Sequence, residues 1–374
     1  MDFAYSEQQN MLKTMAADFL SKECSKSRVR ELEKDPRGYD PVVWEKMVEL
    51  GWQGLILPEE YGGMGAGFMD LVVLMEEMGK NILPGPFFTT VGLCAIPLLR
   101  YGRESQKAGH LSLIASGKNI WSLAVTERSG VFGPGEMACC AEYDGKGYII
   151  NGEKWFCQYA HVADWLLVIC CTGGTGEGLT AFMVDTKKKG IKIELLETIA
   201  GDGQCRVKFK NVRASSKNML GKKGQGWKIV EYLSRYALVL KSAEMCGACQ
   251  AVLNMAQSYA KDRVQFDKPI GSFMSIQHKL VDMLTDVEGL QYIVYQAAWL
   301  LETGQKADTA VAMAKAMANE VYERICIDAV KVHGAIGFTM DHDLGCYFRR
   351  IKAAEFTLGD SHSALDTVAA GIGL

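Results

Sequence analysis

The chain has 374 residues, 48% of them hydrophobic and 23% charged, so it can bury a large core and is too long for one compact domain. Its formal net charge of -3 gives no electrostatic reason to expect a nucleic-acid partner. No segment reaches the ~20 apolar residues of a membrane span, and the N-terminus lacks the basic and apolar regions of a signal peptide. We therefore expect a cytoplasmic protein of two or three domains.

The first 120 residues carry helical patterns. Asp40-Pro41 predicts a helix start, because proline is favoured in the first turn. Helical periodicity returns from Asp70 to Lys80 and again from Thr89 to Arg100, and the breaker Leu83-Pro84-Gly85-Pro86 separates the two. These patterns predict an N-terminal α-helical domain over residues 1–120.

From residue 121 the pattern changes to that of strands. Asp144-Gly145 and Asn151-Gly152 are dipeptides typical of hairpin turns. The β-rich runs of strand length are 147–150, 165–169 and 179–184. They predict a central β domain over residues 121–226, either a barrel or a sandwich.

Beyond residue 226 the apolar positions recur at three- and four-residue spacing. The predicted helices are 228–263, 273–303, 307–333 and 361–369. Their lengths fit a four-helix bundle over residues 227–374. The predicted fold class is therefore α+β, with a helical domain on each side of the β domain in sequence.

Two further patterns favour structural interpretations. The twelve cysteines lie mostly in apolar runs, where a thiol behaves as a small hydrophobe, and the CxxC of Cys246 and Cys249 has no second ligand pair. The glycine-rich stretch 173–178 lacks the strand-to-helix context of a dinucleotide fingerprint, so we predict a hairpin loop there.

Several motifs occur in a fixed order along the chain. They are Leu57–Gly63 with Glu76–Gly79, Ala124–Glu127, Gly152–Phe156, Tyr259–Phe266 with Pro269-Ile270, and Lys331–Thr339. This ordered set resembles the acyl-CoA dehydrogenase family over nearly the whole chain. The resemblance implies the family's fold, FAD held between the β domain and the C-terminal bundle, and a homotetramer as the common assembly.

The resemblance also implies roles in cofactor binding for residues of the β domain. Thr126 would bond the pyrimidine edge of the flavin, and Trp155 would pack against the ring; the alternative for Trp155 is a place in the β-domain core. Cys157 stands where the family usually has Thr or Ser near flavin N5, and a thiol is a weaker hydrogen-bond donor.

Further cofactor contacts are implied for the helical part. Arg263 would meet the FAD pyrophosphate of a neighbouring subunit, or else serve only as a cation at a helix end. Phe266 would pack at the adenosine half. Lys331 replaces a usual glutamine and could serve a phosphate or ribose, and Gly334 and Ala335 would let the backbone approach the cofactor.

The catalytic base is where the sequence departs from the family. Desaturation needs a carboxylate beside the acidic Cα–H, and the position of the family's usual glutamate is Leu358. The alternative position on the first bundle helix is Ala237. Asp360 is the nearest acid and our candidate base, with helix capping or cofactor contact as its alternative role; Glu244 is a weaker candidate.

These features suggest an FAD-dependent acyl-CoA dehydrogenase acting on a short, branched or cyclic acyl-CoA, with an electron-transfer flavoprotein as acceptor. Two alternatives stay open. One is a non-catalytic subunit in a heterotetramer with an active paralogue, and the other is a 1,4-eliminating dehydrogenase of cyclic acyl-CoAs that uses a different acid.

Overall fold

The computed structural model describes residues 4–173 and 178–374. Its chain divides into two compact units, each built from separate stretches of sequence. The first comprises Met1–Glu31, Gly67–Leu83 and Leu238–Leu374, and the second Leu32–Ala66 and Pro84–Ala237. Most of the glycine-rich loop predicted at 173–178 lies outside the described residues.

Helices occupy both ends of the sequence. Those before the β region are α1 (Glu7–Glu23), α2 (Lys26–Leu32), α3 (Pro41–Glu49), α4 (Phe68–Asn81), a π-helical stretch (Phe88–Ala95), α5 (Ile96–Tyr101) and α6 (Glu104–Ala115). Those after it are α7 (Gly226–Asp262), α8 (Met274–Glu302), α9 (Asp308–His333), α10 (Leu344–Glu355) and α11 (Ser361–Ile372). Within the described residues, no helix is long and apolar enough to cross a membrane.

The second unit contains a mixed sheet. Its strands are β1 (Trp121–Ala124), β2 (Cys140–Tyr143), β3 (Tyr148–Gln158), β4 (Trp165–Cys171), β5 (Leu179–Asp185), β6 (Ile191–Leu195), β7 (Gln204–Ala214) and β8 (Met219–Leu220). They run in the order β6-β7-β3-β2-β4-β5-β8, and β1 pairs with β4. The β1–β4 and β2–β4 pairs are parallel and the others antiparallel.

Local signals explain where several elements begin and end. Asp40 caps α3 as predicted, because its Oδ1 accepts a hydrogen bond of 2.9 Å from the Val42 N–H. Asp144 and Gly145 form the turn between β2 and β3, with Gly145 at φ 88°.

One expectation about the elements needs correction, and one helix was not predicted. Asn151-Gly152 is not a hairpin turn but lies inside β3, where the β3–β7 register shifts between Ile150 and Gly152. Gly152 has φ 135°, and a Cβ there would lie 2.7 Å from the Cys139 Cα, so glycine serves a bulge rather than a turn. Helix α10 was not predicted, although its residues Leu344, Tyr347 and Ile351 are buried at helical spacing.

Helices α1, α4 and α8 of the first unit meet at a buried carboxylate. The Glu76 side chain on α4 accepts hydrogen bonds from the Tyr295 hydroxyl and, at 3.2 Å, from the Gln291 amide, both on α8. Tyr5, just before α1, hydrogen-bonds to Tyr295. Lys80 lies 3.5 Å from Glu76 and 2.6 Å from the neighbouring Glu77, and Lys13 lies 4.0 Å from Glu76, so the two lysines together supply the balancing charge. Glu76 and Tyr295 therefore hold the three helices in one arrangement.

Replacing Tyr295 with Phe removes the donor to Glu76 without opening a cavity. Because a buried carboxylate then loses a hydrogen bond, we expect the free energy of unfolding to fall by about 2 kcal/mol. Urea unfolding followed by circular dichroism measures this change. The matched control is Tyr292→Phe on the same helix, whose side chain is half-exposed and should cost about 0.5 kcal/mol or less. Equal stability of the two variants would contradict the assignment.

Candidate active site

A buried ion pair fixes the segment that follows β1. Lys154 on β3 is fully buried, and its Nζ donates to the Val125 carbonyl at 3.0 Å and to Glu127 Oε1 at 2.8 Å. The Glu127 carboxylate also accepts hydrogen bonds of 2.9 Å from the backbone N–H groups of Ala138 and Cys139. Every polar group of this pair has partners, so residues 125–127 are held rigidly beside β3.

The next two residues of β3 leave the sheet ladder. The Trp155 N–H donates to the Thr126 carbonyl at 2.9 Å, and Trp155 and Phe156 have no register partner on β7. Phe156 has φ 57° and is half-exposed. This bulge places the backbones of Trp155 and Thr126 next to each other, where β3 makes no ladder hydrogen bonds with β7.

Arg206 on β7 covers one face of the Trp155 ring. Its guanidinium lies 4.7 Å from the ring centroid and donates to both carboxylate oxygens of Glu153, at 2.9 and 2.7 Å. The hydrogen bonds from Arg206 lower the pKa of Glu153. The Trp155 indole nitrogen is buried, and a hydrogen bond from the Trp155 side chain contributes to the same lowering of the Glu153 pKa. Arg206 over one face and Glu153 beside the ring therefore orient the indole.

Cys157 points into the β-domain interior. Its side chain is buried, its Sγ lies 3.8 Å from the Trp155 carbonyl oxygen, and burial raises the pKa of the thiol. All twelve cysteines are free. Burial likewise raises the pKa of Cys246 and Cys249, as expected for thiols that serve packing.

The helical residues predicted to contact cofactor lie at the C-terminal ends of α7 and α9. Arg263 follows α7 and is exposed. Its backbone N–H donates a hydrogen bond of 2.8 Å to the Tyr259 carbonyl at the end of the helix. Phe266 and Asp267 form the two-residue turn between the short strands β9 (Val264–Gln265) and β10 (Lys268–Pro269), with φ values of 53° and 63°. Asp267 thus occupies a left-handed position, a backbone conformation that glycine adopts most easily and that aspartate tolerates better than most other residues.

At the end of α9, Lys331, Gly334 and Ala335 are exposed. Lys331 Nζ donates to Asp328 Oδ1 at 2.9 Å. Gly334 has φ 69°, and a Cβ there would meet no atom within 4 Å, so the backbone is open to close approach by a ligand. The His333 ring stacks on that of Tyr259 at 4.5 Å, so the ends of α7 and α9 lie side by side.

The loop between α10 and α11 carries Leu358, where the sequence resemblance predicts the family's base. Leu358 is half-buried and has φ 56°, a left-handed conformation that is uncommon for leucine. Asp360 is the N-cap of α11, since its Oδ1 accepts a hydrogen bond of 2.9 Å from the Ser363 N–H. That hydrogen bond lowers the pKa of Asp360. The structure therefore engages this carboxylate in capping, the alternative role that the sequence had left open.

Two residues important to this geometry had no role in the sequence analysis: Lys154 and Arg206. Lys154 lies in the quoted motif Gly152–Phe156, and its place on the inward face of β3 could have shown that it is buried. Arg206 had no such signal, because its contact with Trp155 depends on the pairing of β3 with β7.

Three protein-family descriptions match the chain in sequence. They are "Acyl-CoA dehydrogenase, N-terminal domain" over residues 6–118, "middle domain" over 122–212 and "C-terminal domain" over 224–373. The chain belongs to the acyl-CoA dehydrogenase family.

Curated relatives align over almost their full length. The probable acyl-CoA dehydrogenase YngJ of Bacillus subtilis is 32% identical, with 96% of this chain and 97% of the relative covered. Subunit CarC of the caffeyl-CoA reductase–Etf complex of Acetobacterium woodii is 30% identical, with 96% of each covered. The solved structure of butyryl-CoA dehydrogenase from Megasphaera elsdenii has a TM-score of 0.93 at 26% identity and covers 100% of both chains.

Family membership confirms the predicted fold, with helical N- and C-terminal domains and a central sheet domain. It also establishes this acyl-CoA dehydrogenase as an FAD-dependent oxidoreductase that oxidises acyl-CoA. The residues present in the second unit fit a flavin, because the partly exposed Trp155 ring, oriented by Arg206, is available to a planar polar group. The domain limits and the individual residue roles stay predictions.

Lys154→Met tests whether the ion pair supports this arrangement. The substitution leaves the largely buried Glu127 carboxylate without its counter-charge, so we expect unfolding to become about 3 kcal/mol easier and flavin content to fall. The control is Lys208→Met on β7, a half-exposed lysine 3.6 Å from Glu153, for which about 0.5 kcal/mol or less is expected. Urea unfolding and the flavin-to-protein absorbance ratio are measured; a stable, fully flavinated Lys154→Met protein contradicts the role.

Proposed function

We propose that the chain is an FAD-dependent dehydrogenase of a short, branched or cyclic acyl-CoA thioester in which residue 358 supplies no base. The observation that carries this proposal is the loop between α10 and α11. It carries Leu358 at the position where the resemblance predicts the family's glutamate, and its acid, Asp360, caps a helix.

Cofactor binding is assigned to the residues that the family resemblance indicates. Thr126 would bond the pyrimidine edge of the ring, the Trp155 ring would pack against it, and Cys157 would lie nearby as a neutral thiol. FAD supplies the acceptor for the hydride that leaves the substrate Cβ, at its N5 atom. Arg263 would bind the pyrophosphate, and its exposure at the end of α7 leaves it available to do so.

Phe266, Lys331, Gly334 and Ala335 complete the proposed cofactor set. Phe266 is 85% exposed at a hairpin tip, as an aromatic that packs on a ligand or a second subunit would be. Lys331 could serve a phosphate or ribose with the donors that Asp328 leaves unused. Gly334 and Ala335 offer their backbone.

Removal of the substrate α-proton is the step that this chain supports least. A positioned base contributes about 10²–10⁴-fold in rate, and Leu358 cannot act as one. Asp360 is the nearest carboxylate, but its hydrogen bond from Ser363 lowers its pKa and makes it a weak base. We therefore expect slow α,β-desaturation by the chain alone, or proton removal from another substrate position in a 1,4-elimination on a cyclic acyl-CoA.

The acceptor and assembly are also proposed. CarC, the relative from Acetobacterium woodii, is named as part of a complex with an electron-transfer flavoprotein, which supports such a flavoprotein as the partner here. A homotetramer, or a heterotetramer with a paralogue, is the expected assembly.

The loop also favours a second function, that of a non-catalytic subunit paired with an active paralogue. Leu358 and the capping role of Asp360 would leave such a subunit able to bind flavin without dehydrogenating a thioester. Co-expression with a paralogue, followed by native mass spectrometry, separates the two functions. A mixed tetramer supports the second function, and a homotetramer active on its own excludes it.

Leu358→Glu restores a carboxylate at the family position. If substrate binds in the family pose, we expect anaerobic reduction of the flavin by an acyl-CoA to become about 100-fold faster or more. Stopped-flow absorbance measures the rate. Leu358→Gln is the matched control, because it has the same size and no base. Equal rates in the two variants would show that the acyl group lies elsewhere.

Arg263→Ala should weaken retention of FAD, because a charge-assisted contact with the pyrophosphate is lost. The ratio of bound flavin to protein after dialysis measures retention. Lys261→Ala removes an exposed cation two residues away and should leave the ratio unchanged. Undiminished flavin in Arg263→Ala would remove the proposed role of this residue.

A further inference from the structure

Helix α9 caps the end of α10. Lys315 Nζ donates to the carbonyl oxygens of Ala354 at 2.6 Å and Glu355 at 2.8 Å. These carbonyls belong to the last turn of α10, where the helix itself provides no further N–H donors. The Lys315 side chain therefore fixes the point at which the chain leaves α10 and enters the loop 356–360.

The same face of α9 also holds the start of α11. Lys315 Nζ donates to Asn319 Oδ1 at 2.8 Å, and Asn319 Nδ2 donates to Ser361 Oγ at 3.1 Å. Asn319 lies one helical turn beyond Lys315, and Ser361 is the first residue of α11. Both ends of the loop are thus tied to one helix by a continuous set of hydrogen bonds.

The two polar residues are almost completely buried, with 1% of Lys315 and 2% of Asn319 exposed. Burial, together with the positive charge of Lys241, lowers the pKa of Lys315 to about 7. Its three acceptor oxygens match the three N–H donors of an ammonium group, so none remains for a ligand. Lys315 therefore acts on its surroundings by holding the backbone and not by direct chemistry.

The loop whose two ends are held by Lys315 and Asn319 has an unfavourable backbone conformation. Leu358 has φ 56° and Gly359 has φ 113°. A leucine keeps a left-handed conformation only where the surrounding structure determines it. The hydrogen bonds that hold Glu355 and Ser361 keep the loop in this conformation.

We infer that Lys315 and Asn319 are positioning residues that set where the side chain of residue 358 stands. Because residue 358 matters through the proposed function, this role rests on that function. Neither residue touches the substrate; both act through the loop.

Hydrogen–deuterium exchange of the full-length protein tests the positioning directly, without any substrate. Lys315→Met keeps the apolar stem and removes the donors. We expect amide exchange over residues 356–361 to become about tenfold faster, the effect of a lost hydrogen bond on a local opening equilibrium. Lys352→Met is the matched control, since it removes an exposed lysine of α10 that bonds the Glu355 side chain at 2.8 Å. Unchanged exchange in Lys315→Met, or an equal rise throughout α8 and α9, would overturn the inference.

Asn319→Ala is the second variant and decides the matter if Lys315→Met does not fold. It leaves the two carbonyl bonds of Lys315 and cuts the connection to Ser361. We expect faster exchange at the start of α11 alone, and wild-type exchange there would overturn the inference.

Kinetics in the Leu358→Glu background separate positioning from mere stability. Adding Lys315→Met should lower kcat about 100-fold with little change in KM, because a displacement of about 1 Å has that effect on a catalytic group. Adding Lys352→Met should leave both constants unchanged. An unchanged kcat in the Lys315→Met double variant would overturn the positioning role. If Leu358→Glu alone gains no activity, the proposed family pose of the acyl group beside residue 358 fails, while the exchange result still decides the role of Lys315.

Discussion

The buried pair of Lys154 and Glu127 is the interaction on which the candidate flavin-binding surface depends. It joins the segment after β1 to the middle of β3, where Trp155 leaves the ladder with β7. A lysine with no exposed surface is costly unless its charge is paired, and here the Glu127 carboxylate pairs the charge while the Val125 carbonyl accepts a second donor. Thr126 and Trp155 are adjacent because this ion pair holds the segment after β1 against β3.

A second constraint acts in the helical unit, on the loop between α10 and α11. Its central leucine is left-handed, its ends are held by Lys315 and Asn319, and its acid is engaged at a helix N-terminus. Positioning and acid–base chemistry are separate properties of an active site, so residues that hold this loop and the side chain at position 358 are tested separately.

The sequence predicted most of the fold, because long helices and β-rich runs carry their own periodicity. The four C-terminal helices predicted from 228, 273, 307 and 361 begin within two residues of their observed starts. Helix α10 was not predicted, because its amphipathic pattern spans only 12 residues. Asn151-Gly152 was assigned to a turn because a bulge and a hairpin use the same residue types.

The residues of the candidate site could be predicted only where they lie within a recognised sequence motif. Thr126, Trp155 and Arg263 lie in motifs, and family membership confirms the cofactor although not their individual roles. Arg206 contacts Trp155, 51 positions away, and Lys315 contacts the Ala354 carbonyl, 39 positions away. These contacts follow from tertiary packing and have no local signature in the sequence. The capping role of Asp360 was visible as an alternative, but only the Ser363 contact decides its geometry.

We expect this chain to hold a flavin that can take electrons from a thioester, although residue 358 provides no base. The decisive measurement is an anaerobic titration of the purified wild-type protein with a panel of short, branched and cyclic acyl-CoA thioesters, with the visible flavin spectrum as the readout. The flavin band should bleach slowly with at least one thioester. A flavin band that dithionite bleaches but that no thioester bleaches would show that the bound flavin does not accept electrons from a thioester.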